Sequence, residues 1–186
     1  MALLIIGLAL WVAAHLFKRL APAARAAMTD RMGEKSKGVF AVLILVALGF
    51  IILGYRTVDY IPVYTVAPTM KHLNNLLMLI ALVTYAAGMS KGLLWTKIRH
   101  PQLWGTTIWA FAHLLIGGDL ASVLLFGTML VWAQGTILLV NAQEGAWIRP
   151  KAGALKRDLV MVVGALVAFG VIGAIHLALG KMPFGG

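Results

Sequence analysis

Long apolar runs separated by short basic connectors divide this sequence from one end to the other. A bilayer core about 30 Å thick is crossed by roughly 20 apolar residues in a helix, because only a helix pairs all its backbone groups within the segment. Six runs qualify: Ala2–Phe17, Gly38–Tyr55, Leu73–Ser90, Trp104–Ile116, Leu120–Val140 and Leu159–Gly180. The fourth has only 13 residues before Gly117-Gly118-Asp119. It reads as a short span, a re-entrant one, or one that begins earlier at His100-Pro101. The pattern predicts an all-α, polytopic membrane helix bundle of about six transmembrane helices, forming a single transmembrane domain over residues 1–186. A chain that is 61% hydrophobic and 12% charged has too few polar residues to cover a soluble surface.

The basic residues set an orientation, since Lys and Arg accumulate in loops on the cytoplasmic side. Lys18, Arg19, Arg25, Arg31, Lys35 and Lys37 fill the first connector, Lys91, Lys97 and Arg99 the third, and Arg149, Lys151, Lys156 and Arg157 the fifth. The opposite side holds only Arg56, Lys71 and Lys181. This alternation needs the fourth span and puts both the N-terminus and the C-terminus outside, as for a multi-pass inner-membrane protein. Ala21-Pro22-Ala23 loosely resembles a signal-peptide cleavage site, but the charges follow the first apolar run instead of preceding it, as in a retained helix. The connector from Arg56 to Lys71, with Tyr60 and Tyr64 and with Tyr55 just before it, reads as an outer segment with an interfacial aromatic belt.

The absence of cysteine removes disulfides, thiolate metal ligands and thiol nucleophiles, so chemistry falls to His, Met and the carboxylates. The net charge of +10 lies between apolar runs, where anionic membrane lipids are the natural partners and nucleic acid is not. No phosphate-binding loop, Gly-x-Ser-x-Gly or His-Glu-x-x-His motif occurs.

Five histidines remain, and ionisable groups at membrane depth are costly unless they face a partner or a cofactor. His113 leads because it lies within the fourth span, with Gly105, Trp109 and His113 on one helical face. A flat ring over Gly105 and a hydrogen bond to a neighbouring helix are both compatible with that spacing. His15, with Trp11 a turn before it and Lys18 and Arg19 after it, suits either an anionic cofactor at a basic rim or a snorkelling interfacial role. His72 follows Thr69, a candidate N-cap, at the outer start of the third span. His176 shares a face with Gly173 and Gly180 and reads as a helix-packing residue. His100, between Arg99 and Pro101, lies in a cytoplasmic turn, where it either binds a phosphate-like group or ends a helix. Asp119 is the only acid in the outer turn and reads as a cap of the fifth span.

The stretch Arg99-His100-Pro101-Gln-Leu-Trp104-Gly105, then Trp109-Ala-Phe-Ala-His113, then Gly118-Asp119-Leu-Ala-Ser122 and Leu-Phe126-Gly127, resembles the NnrU family of bacterial membrane proteins. The likeness extends to His15, to Met32-Gly33-Glu34 and to Lys71-His72. That resemblance implies a link to nitrite and nitric oxide metabolism in denitrifiers. The family is also similar to plant 15-cis-zeta-carotene isomerase, a haem b membrane enzyme, which implies haem b held by His113 and His15. Lys18, Arg19 and Arg99 would then hold the propionates.

Depth along the helices points to a different second ligand. At 1.5 Å per residue, His15 lies roughly 5 Å inside Lys18, whereas His113 lies roughly 18 Å inside Pro101. His72, entering from the outer side, is nearer the depth of His113. Resemblance therefore selects His15 and geometry His72. Three functions follow from the sequence: a haem protein with a redox partner or a lipophilic substrate to isomerise, a cofactor-free membrane assembly factor, and a methyltransferase using Arg99 and His100. Whether the chain is an enzyme, and how many copies assemble, stays open at this point.

Overall fold

In a computed structural model that describes residues 1–183, the chain is helical wherever the apolar runs predict helix. Seven α-helices occur among the described residues: α1 (Ala2–Leu20), α2 (Pro22–Met32), α3 (Lys35–Thr57), α4 (Met70–Ser90), α5 (Pro101–Leu114), α6 (Leu120–Glu144) and α7 (Leu155–Ala178). Five of them, α1, α3, α4, α6 and α7, are long and apolar enough to cross a membrane. With 14 residues, α5 reaches roughly 21 Å, shorter than those five. The chain is a multi-pass membrane protein, and the large apolar side chains on the outer faces of these helices, such as Val42, Leu45, Val131 and Val163, meet lipid.

The described residues divide into two compact units, 1–63 with 119–128, and 64–118 with the remainder from 129. In the first, α1 and α3 pack antiparallel at a backbone-to-backbone distance that only small residues allow. A Cβ on Gly7 would come within 2.7 Å of the Ile51 amide nitrogen, and one on Gly54 would overlap the backbone of Leu4. Leu4, Leu8, Ile51 and Ala121 form the core of this unit, with Trp11 and Tyr55 packed against it.

The first basic connector contains a helix that the apolar pattern did not mark. Ala, Met and Arg are good helix formers, Pro22 is preorganised for the first turn, and Gly33, with φ +57°, ends the segment. None of α2 is buried. The Arg25 guanidinium ties it to α3 by lying 4.9 Å over the Phe40 ring and donating to the Ser36 hydroxyl at 3.0 Å.

In the second unit, α4 and α5 run antiparallel, with Asn74 against Ala112 at one end and Gly88 against Gln102 at the other. Helix α7 also packs on α4. Its Asp158 is buried and accepts hydrogen bonds from the backbone of Leu93 at 2.7 Å and Leu94 at 3.2 Å, which fastens the α4–α5 connector. The end of α4 and the starts of α5 and α7 therefore share one end of this unit. Lys91, Lys97, Arg99, Lys156 and Arg157 belong to the same end.

Two of the three tyrosines expected in an interfacial belt use their hydroxyls in hydrogen bonds to the protein. Tyr64 donates its hydroxyl to the Leu114 carbonyl within the second unit. In the first unit the Ser122 hydroxyl donates to Asp119, so Tyr55 is the donor of its own 2.8 Å bond to Ser122. Tyr60 alone stands mostly exposed. Buried hydroxyls seek acceptors more strongly than tyrosines seek the headgroup layer.

Candidate functional site

The sequence Trp-x-x-x-His occurs twice, in α1 and in α5, and both copies fold into the same device. His15 Nδ1 lies 2.8 Å from the Trp11 carbonyl oxygen, and His113 Nδ1 lies 2.9 Å from that of Trp109. A carbonyl only accepts, so Nδ1 carries the proton in each ring and Nε2 keeps the lone pair. Each ring also stacks on its tryptophan, with centroids 4.3 Å apart in α1 and 5.3 Å apart in α5. Both imidazoles are thereby fixed in tautomer and direction, as metal-ligating histidines are when a backbone carbonyl takes the second nitrogen.

His113 sits in the last turn of α5. Asn74, buried on α4, donates from Nδ2 to the Ala112 carbonyl at 2.9 Å and clamps the turn that carries it. His176 on α7 has the same anchor, with Nδ1 2.8 Å from the Ile172 carbonyl oxygen. His72 is exposed in the first turn of α4, two residues from Asn74. Thr69 precedes that helix without a side-chain capping bond. Within the second unit, then, His113 and His176 are anchored and His72 is not.

Three of the candidate residues on or beside α5 have close neighbours of their own. The space over Gly105 is filled by α4: a Cβ there would stand 2.7 Å from the Tyr85 Cβ and 2.9 Å from the Ala81 carbonyl oxygen, which leaves no room for a flat ring. Arg99 lies beyond the opposite end of α5, roughly 20 Å along the helix from His113, and donates to the Gly145 carbonyl at 2.7 Å. His100 Nε2 pairs with the Asn141 side chain at 2.9 Å. Together Arg99 and His100 fasten the start of α5 to the end of α6. Asp119 caps α6 as expected, accepting from the Ser122 backbone at 3.0 Å.

Sequence reasoning passed over Asn74, Gln134 and Asp158. Gln134 on α6 donates to the Thr107 hydroxyl on α5 at 2.7 Å, a cross-helix bond inside an apolar segment. The available signal was simple: an uncharged or acidic polar residue inside an apolar run must find a partner there. Among the described residues no three His, Asp or Glu side chains gather into a metal site of the zinc kind. A haem needs only two axial imidazoles from the protein, and anchored histidines with Nε2 lone pairs fit that requirement.

A family model described as NnrU protein matches residues 3–183. The chain belongs to the NnrU family. No curated protein and no solved structure matches it at the threshold applied.

Proposed function

We propose that this NnrU protein is a haem b protein of the bacterial inner membrane, with His113 as one axial ligand and a second imidazole as the other. The observation that carries this reading is the paired Trp-x-x-x-His device, which holds an imidazole at membrane depth with Nδ1 committed to a carbonyl. His15 is the second ligand named by the resemblance to the carotene isomerase. His72 and His176 are the candidates in the unit that contains His113.

Haem b bound by two neutral imidazoles supplies a one-electron couple within an apolar environment. The protein's own residues orient the ligands, exclude water with the apolar helix faces, and keep each Nδ1 proton on a backbone carbonyl. That chemistry suits redox support of nitric oxide or nitrite metabolism, or redox-dependent isomerisation of a lipophilic substrate.

The test is an oxidised and dithionite-reduced absorption spectrum of the detergent-purified protein expressed with ample haem, repeated for His113→Ala, His15→Ala, His72→Ala and His176→Ala. Sharp reduced α and β bands that disappear with His113 and one other histidine support the reading and name the partner. A colourless protein overturns it and leaves the cofactor-free assembly factor in its place.

A further inference from the structure

Between α4 and α7 lies a cavity of about 810 Å³ that none of the chemistry above uses. Its walls are apolar, from Leu82, Tyr85, Met89, Val160 and the small residues of α7, and it opens outward where Tyr85, Met89 and Val160 are exposed. Its polar lining is confined to one end, at Ser90, Lys156 and Arg157. Asp158 is the acid next to that end, and its oxygens already accept from the Leu93 and Leu94 amides.

The dimensions match half a bilayer. From Arg157 to Ala168 the groove follows α7 for roughly 16 Å, close to the depth of one leaflet of a core about 30 Å thick. Its volume lies inside the range of roughly 300–1,000 Å³ usual for sites that enclose small molecules. The charged end coincides with the basic end of this unit, which the distribution of Lys and Arg assigns to the cytoplasmic side, where lipids are anionic. A groove that is apolar for one leaflet's depth and cationic at the headgroup level is complementary to one kind of molecule.

We propose that the α4–α7 groove is a binding site for an anionic phospholipid of the cytoplasmic leaflet, its acyl chain along Leu82, Tyr85 and Gly164 and its phosphate at Lys156 and Arg157. The site is independent of haem and of the histidines.

Native mass spectrometry of the full-length protein in mild detergent tests it, titrating phosphatidylglycerol and phosphatidylcholine with identical chains. Wild type binds the anionic lipid roughly tenfold more tightly, and the double variant Lys156→Gln/Arg157→Gln loses that preference while still binding phosphatidylcholine. Gly164→Leu, at a position where a Cβ meets nothing within 4 Å, fills the groove without disturbing the helices and weakens both lipids. Equal affinity for the two lipids, a preference that survives the double variant, or unchanged binding in Gly164→Leu overturns the proposal. So does a dimer that Gly164→Leu dissociates, since a second copy of the chain would then occupy the groove.

Discussion

Helices α1 and α5 carry the same five-residue device in different settings. In α1 it lies close to the basic end of a 19-residue helix, with Lys18 and Arg19 in the last turn. In α5 it lies at the end away from the basic connector, in a helix of only 14 residues. The local geometry is the same, a histidine bonded back to its tryptophan's carbonyl and stacked on its ring. What differs is the neighbourhood: Asn74 from α4 clamps the turn before His113, whereas Trp11 packs against the core of Leu4, Leu8, Ile51 and Ala121. Equal sequence motifs thus give the same Nδ1 anchor, while the ring pairs differ with their setting, tilted by 31° in α1 and by 53° in α5.

Substitutions can separate the two copies. The largest effect is expected from His113→Ala, which abolishes the reduced haem bands. If His15→Ala does the same, both devices hold ligands; if it leaves the bands intact, the copy in α1 serves packing. Gly105→Leu forces α4 and α5 apart and costs about 1–3 kcal/mol, read as a lower midpoint in a detergent thermal-stability assay. Gly7→Leu makes the same test between α1 and α3, and equal losses would mean the two helix pairs are equally unforgiving. Asp158→Ala leaves two backbone amides without their acceptor and costs about 1.5–3 kcal/mol, with no counterpart in the first unit. Asn74→Ala removes the clamp behind His113 for about 1 kcal/mol, and the outcome that matters is a broadened or shifted haem spectrum in that variant. Trp11→Leu and Trp109→Leu come last, each losing about 0.5–1.5 kcal/mol of ring stacking.

Much of the fold was written in hydropathy and charge. The apolar runs located five long helices to within a few residues, and the need for alternating basic connectors kept the short fourth run, which begins at Pro101 as the Pro-initiated reading allowed. Helix α2 escaped because it buries nothing; its helicity comes from backbone propensity and from two bonds of Arg25, neither of which leaves an apolar stripe. The site was legible residue by residue and not in its assembly. Spacing put Gly105, Trp109 and His113 on one face, but a small residue on a helix accepts a cofactor ring or another helix equally well, and here α4 occupies the space. Arg99 and His100 looked chemical because they are polar residues beside a proline. Their partners, Gly145 and Asn141, lie more than 40 positions away in sequence, where no local pattern reaches.

The bond from each anchored Nδ1 to its own helix has a consequence for proton traffic. A histidine relays a proton by taking one on one nitrogen and releasing another from the opposite nitrogen, which requires both to exchange freely. In His15, His113 and His176 one nitrogen is held by a carbonyl that can only accept, so each relay step would first have to break that bond and turn the ring off its helix. These three residues therefore make poor stepping stones for a proton wire. A membrane built around them can offer imidazole lone pairs at depth while staying closed to protons along the same residues.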